Sequence, residues 1–219
     1  MRRYAKGDGN MILTDQSIRK LVHIKFEDQK PLIENFREES LQSESYDLSV
    51  GEYVYRFDSQ VRTLGLDDQS EIDKIYCEVS IKDAEYILQP KEYILVSIDE
   101  RINLPDTISA HIRPRTRFTR LGLIVSDQHC NSSYCGNLKI GLYNATNYAI
   151  KIRQGIRIAQ MIFEELKEVP SKEKLYRNKP KTKAVYHAEK DFLGAKMDQE
   201  ILDKAEKLYQ ELLDDLGSK

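Results

Sequence analysis

No stretch of this sequence approaches the ~18 apolar residues of a membrane-spanning helix, and its opening, MRRYAKGDGN, lacks the apolar core of a secretory signal. A cytoplasmic protein without a membrane partner is therefore expected. Cysteine is scarce. Cys77, Cys130 and Cys135 cannot all pair within one chain, which suits a reducing compartment. His129, Cys130 and Cys135 lie close together, but their spacing matches no zinc signature, so no resident metal is expected. An excess of charge of one sign is missing too: 34 Lys and Arg against 36 Asp and Glu leave a net charge of −2. Nothing in that balance attracts a nucleic-acid polymer, so any anion site must be local.

What is present is an ordinary globular composition, 40% hydrophobic and 32% charged over 219 residues, enough for one large domain with an extra arm. Residues 1–10 are polar and read as a flexible N-terminus. LTDQSIRKLV predicts a short helix that Thr14 or Asp15 can cap, with Ile18, Leu21 and Val22 on one face. The period then changes. SYDLSVGEYVYRF alternates, YILQPKEYILVSIDERINLP holds two short apolar runs, and NLKIGLYNATNYAIKIRQGIRIAQMIFEEL holds two or three more, broken by Asn- and Gly-containing turns. Many short strands at this spacing predict a mainly β fold, an antiparallel barrel or sandwich. Residues 166–195 are strongly charged, with Pro170 and Pro180, and read as an arm or flexible tail. From 196 to 219 helical spacing returns: Ile201, Leu202, Ala205, Leu208, Leu212, Leu213 and Leu216 share an apolar stripe that Gly217 ends.

One local concentration of charge stands out. RPRTRFTRLGLIV, residues 113–125, sets four arginines and two threonines ahead of an apolar run. Arginine offers a planar fork that bonds phosphate oxygens in pairs, and threonine adds a hydroxyl donor. The ordinary alternative is a solvated, charged turn.

Four segments in order resemble one family, the deoxycytidine triphosphate deaminases, which share a fold with trimeric dUTPases. MILTDQSIRKLV resembles the family's opening helix, and SYDLSVG its first motif, with the acidic position on Asp47. ILQPKEYILVSIDERINLPDTISAHIRPRTRFTRLGLIV follows the pattern from L-x-P-x-E to R-S-S-x-x-R-L-G-L, and QGIRIAQMIFEEL is similar to G-x-x-I-A-Q-L-x-F. The likeness runs over residues 11–165. It implies a dUTPase-like distorted β barrel of the β-clip type, with a short N-terminal helix and, in this chain, an added C-terminal helix. It further implies a homotrimer with sites at subunit boundaries, and a pyrimidine deoxynucleoside triphosphate as ligand with Mg²⁺ on its phosphates. No zinc is implied, and the H-x-E with P-C-x-x-C pattern of zinc deaminases is absent. Carried over by position, the resemblance assigns Arg115, Thr116, Arg117 and Arg120 to phosphate, with Arg117 standing where the family has serine. It assigns Tyr134 to stacking under the deoxyribose.

Two positions break the pattern. The acidic residue of the family's sugar-site motif is Asn131, whose amide can still bond a 3′-hydroxyl but cannot act as a base. The proton-shuttling glutamate falls on Gly141, which has no side chain to take a proton. The catalytic residues are therefore left unassigned. Asp127 and His129 are surrogates on position alone, and Lys139 shares the face of Gly141 if the strand alternates. Tyr176, Arg177, Lys183 and Tyr186 of the arm resemble, without a fixed alignment, a tail that folds over nucleotide. Two readings stand: an enzyme weakened at its acid positions, converting dCTP to dUTP or dUMP, and a catalytically silent nucleotide-binding regulator or assembly subunit.

Overall fold

A computed structural model describes residues 11–24, 30–180, 182–189, 191–198, 200–204 and 206–209. The N-terminal segment expected to be flexible lies outside them. No helix of the described residues is long and apolar enough to cross a membrane.

The chain runs β1 (Met11–Ile12), α1 (Asp15–His23), β2 (Ile33–Glu34), β3 (Tyr46–Phe57), α2 (Gln69–Ile72), β4 (Tyr76–Ser80), β5 (Glu85–Leu88), β6 (Tyr93–Ile98), β7 (Arg101–Asn103) and β8 (Ile108–Pro114). It continues through α3 (Thr116–Arg120), β9 (Leu123–Val125), β10 (Gln128–Cys130), β11 (Cys135–Gly136), β12 (Lys139–Asn144), β13 (Ile150–Arg153) and β14 (Arg157–Glu165). The spacing of α1 buries Ile18 completely and sets Leu21 and Val22 against the core. Thr14 occupies the N-cap position, but its side chain makes no capping bond.

Nine antiparallel strands form the main sheet, in the order β10-β8-β14-β3-β6-β12-β9, with β1 added to β14 and β4 to β3. Cys130 of β10 and Leu123 and Val125 of β9 come from opposite ends of this path yet belong to one buried cluster with Leu48, Ile112, Ile140 and Phe163. The sheet therefore curls around a single core, and the protein has the mainly β architecture that its strand spacing predicts and the distorted barrel that the family resemblance implies. Two small sheets, β11-β7-β2 and β13-β5, close its flanks.

The alternation expected for β3 fails over its first half, where Tyr46 through Gly51 are all buried. The face that should have met solvent is covered by charged groups. The Ser49 N–H donates to Glu100 at 2.9 Å, Arg37 reaches the Ser49 hydroxyl at 3.4 Å, and Arg115 pairs with Asp47 at 3.0 Å.

Beyond β14 the chain packs back on the barrel. Leu175 and Ala184 are buried. Phe192 stacks on Tyr55 with ring centroids 3.7 Å apart and meets Tyr76 edge-on at 5.1 Å. The Ala195 N–H donates to the Tyr76 hydroxyl at 3.1 Å, and Gln69 of α2 returns a bond to the Ala195 carbonyl at 3.0 Å. Of the expected terminal helix, residues 200–204 and 206–209 are helical. Ile201 and Leu208 are exposed there; residues 199, 205 and 210–219 of that expectation lie outside the described residues.

Candidate functional site

The arginine-rich turn divides into a structural half and an open half. Arg115 stands at the N-cap position of α3 in extended backbone and turns its guanidinium inward. It donates to the Arg157 carbonyl at 2.8 Å and pairs with Asp47, which is 1% exposed, at 3.0 Å. Burial pushes the Asp47 carboxyl up, against the opposing pull of Arg115, Arg157 and Arg117, and burial pulls the Arg115 guanidinium down. A buried carboxylate stripped of its cation would be costly. Arg115 thus already satisfies a partner in the fold. Arg117 and Arg120 are exposed on α3, and neither is hydrogen-bonded or ion-paired to another described residue. Thr116, at the start of the helix, is exposed as well.

Asn131 and Tyr134 lie elsewhere, on the loop between β10 and β11. Tyr134 is 6% exposed, and burial pushes its phenol far up. A Cβ on Gly136 would meet the Tyr134 hydroxyl at 2.5 Å, so only glycine lets this loop close beneath the ring. The two residues line a cavity of about 550 Å³ that contains none of the α3 arginines. Within one chain, then, the candidate phosphate ligands and the candidate sugar ligands do not share a pocket.

Three walls make that cavity. Tyr93 and Leu95 of β6 form one, Gln128, Tyr134 and Lys139 a second, and Tyr176, Tyr186, Glu189 and Phe192 of the arm the third. Gly141 has no room of its own. Its register partner across β6 is Leu95, and Tyr93, diagonal to it on the same face, fills the space: a Cβ at 141 would lie 2.0 Å from the Tyr93 hydroxyl. The occupant is a phenol, not Lys139. Lys139 instead points at the arm, donating to Glu189 Oε2 and to the Asn137 carbonyl, each at 3.2 Å. The Glu189 side chain is 6% exposed, and Glu189 is the one carboxylate among the described residues lining the cavity.

The positional surrogates fare differently. Asp127 pairs with Arg113 at 3.0 Å, is exposed, and does not line the cavity. His129 reaches its rim, with its ring 4.8 Å from that of His111. Among the arm residues singled out from the sequence, Tyr176 and Tyr186 line the cavity, while Arg177 turns away to Asp106 at 2.8 Å. Tyr93 and Glu189 carried no signal in the sequence; register selects one and the return of the arm the other.

Comparison with known proteins identifies the family. A family model described as dCTP deaminase-like matches residues 12–166. A dUMP-forming dCTP deaminase of Hydrogenobaculum sp. is 34% identical over 162 residues, covering 74% of this chain and 86% of that protein. The dCTP deaminase of Pyrococcus horikoshii is 31% identical over 160 residues, covering 73% and 86%. Among solved structures, the 2′-deoxycytidine 5′-triphosphate deaminase of Agrobacterium tumefaciens superimposes with a TM-score of 0.57 at 22% identity, over 71% of this chain and 47% of that one. With a curled antiparallel sheet, the arginine turn and the tyrosine-floored cavity in place, the chain belongs to the dCTP deaminase-like family.

Proposed function

We propose that this protein binds a pyrimidine deoxynucleoside triphosphate in the cytoplasm, as part of pyrimidine deoxynucleotide metabolism, and acts on it as a dCTP deaminase or dUTP diphosphohydrolase of reduced rate. The observation that carries the reading is the cavity floored by Tyr134, whose volume of about 550 Å³ suits a nucleoside. Asn131 at its rim can bond a sugar hydroxyl. Arg117 and Arg120 remain open for phosphate, with Arg115 and Thr116 beside them, and a triphosphate would bring three to four negative charges to meet them. Since these groups and the cavity do not meet within one chain, the site is completed by a second copy, in keeping with a homotrimer. Among the described residues no three His, Cys, Asp or Glu side chains converge as a metal cage. Mg²⁺ would therefore arrive on the triphosphate, held by its oxygens and by water, and would neutralise part of the phosphate charge.

A second reading, a catalytically silent nucleotide-binding regulator or assembly subunit, is favoured by Tyr93 and Asn131. The phenol fills the space at Gly141, and an amide stands at the other acid position. Incubation of the purified protein with dCTP and with dUTP plus Mg²⁺, followed by chromatography, separates the two. Release of ammonia or of dUMP supports the enzyme. Retention of nucleotide without product supports the regulator, and calorimetry without binding of either nucleotide overturns both.

A further inference from the structure

We propose that Glu189, carried on the C-terminal arm, is the general base of the cavity, delivered from outside the barrel strands. The inference rests on the nucleotide-converting reading above. Its ground is that a cavity of nucleoside-sized volume holds one carboxylate among the described residues that line it, and that this carboxylate is held by bonds to both of its oxygens. Glu189 Oε1 accepts the Leu193 N–H at 2.8 Å, and Oε2 accepts from Lys139 Nζ at 3.2 Å. An ionised carboxylate offers about four acceptor sites, so two of these bonds leave capacity for a water and a substrate N–H.

The backbone holds the group in place as well. Ala188, the preceding residue, has φ 54°, a left-handed conformation that alanine seldom adopts. Its N–H donates at 2.7 Å to the carbonyl of Cys135, the β11 residue that follows Tyr134. Strain of this kind persists only where the surroundings determine the conformation. The arm is also tied further upstream, where the Arg177 N–H donates to Ser133 Oγ at 3.1 Å. Glu189 is therefore registered against the loop carrying Tyr134, and it is bonded directly to Lys139, two residues from Gly141 on β12.

The step balances without a further reagent. Glu189 takes a proton from water as the water oxygen bonds to C4 of the cytosine ring, and electron density moves onto N3. The proton returns to the ring at N3. The second water proton passes through the same carboxylate to the exocyclic nitrogen, the C4–N bond breaks, and ammonia leaves. The carboxylate ends ionised and the base is uracil. The Tyr93 hydroxyl, at the Gly141 position, can donate a hydrogen bond but takes no proton near neutral pH.

The test uses the full-length protein with dCTP and Mg²⁺, measuring kcat from ammonia release, Kd by calorimetry and Tm by thermal melt. Glu189→Gln should lose about 10² to 10⁴ in kcat, with Kd unchanged within threefold. Glu189→Asp, which keeps the charge, should fall between. In Glu189→Ala, added formate should restore part of the lost rate, a response that a purely structural ion pair would not give. A Gln variant within threefold of the wild-type kcat overturns the assignment, as does an Ala variant that formate leaves inactive. If the Gln variant does not fold, the Asp variant decides: full wild-type kcat there overturns the proposal, and a fall in kcat at unchanged Kd supports it. Wild-type protein that binds dCTP but releases no ammonia also overturns it, while leaving nucleotide binding intact. Failure of the wild type to bind nucleotide removes the functional reading itself.

Discussion

Two arginines five positions apart do opposite work. Arg115 neutralises a carboxylate that is 1% exposed, whereas Arg120 is exposed with no described partner. Arg115→Ala should cost about 3 kcal/mol or more of stability, because among the described residues it leaves Asp47 one ion pair, the longer one with Arg157 at 3.9 Å. Arg120→Ala should change stability by less than about 0.5 kcal/mol yet weaken triphosphate binding by roughly 2–5 kcal/mol. Urea melts and calorimetry on both variants check the contrast; a stable Arg115→Ala protein would contradict the pairing. At Gly141 the fold itself opposes restoring a carboxylate, since the new side chain would start 2.0 Å from the Tyr93 hydroxyl. Gly141→Glu should therefore destabilise by about 1–3 kcal/mol through overpacking. Adding Tyr93→Ala should recover much of that loss in a thermal melt, and equal melting of Gly141→Glu and wild type would show that Tyr93 yields freely.

At the scale of elements, the described residues of the arm beyond β14 join no strand ladder, and side chains carry much of the arm's attachment. It is held by Phe192 on Tyr55 and Tyr76, by bonds to Gln69, and by Lys196 on Asp73 at 2.5 Å. That last contact is between partly exposed groups and contributes little. The aromatic contacts dominate, and Phe192 is half-buried, so Phe192→Ala, which should cost less than the about 3–5 kcal/mol of a fully buried ring, should release the arm before the barrel opens. Hydrogen exchange should then rise over residues 184–197 while the β8, β14 and β3 amides stay protected. Uniform loss of protection would mean that arm and barrel unfold as one unit.

At the scale of the whole molecule, the separation of the arginine turn from the Tyr134 cavity calls for a second copy. Light scattering at micromolar concentration should give a mass near three times 25.5 kDa. A stable monomer that still binds triphosphate tightly would require both halves of the site to meet within one chain.

By itself the sequence determined what depends on local chemistry and strand periodicity: short strands within NLKIGLYNATNYAIKIRQGIRIAQMIFEEL, the helix in LTDQSIRKLV, the arginine turn, and the loss of a carboxylate at Gly141. Those features are written in residue type and spacing, because period and side-chain chemistry are properties of neighbours along the chain. Four tight segments in order were enough to indicate the family. Only the tertiary structure decided which arginine is spent on the fold, since Asp47 lies 68 positions from Arg115 and is joined to it through the pairing of β3, β14 and β8. The same holds for Tyr93, brought diagonally onto Gly141 by the β6–β12 register, and for Glu189, brought back by a charged arm with no periodicity of its own. Contacts between distant segments follow from register and packing, which no local window of sequence contains.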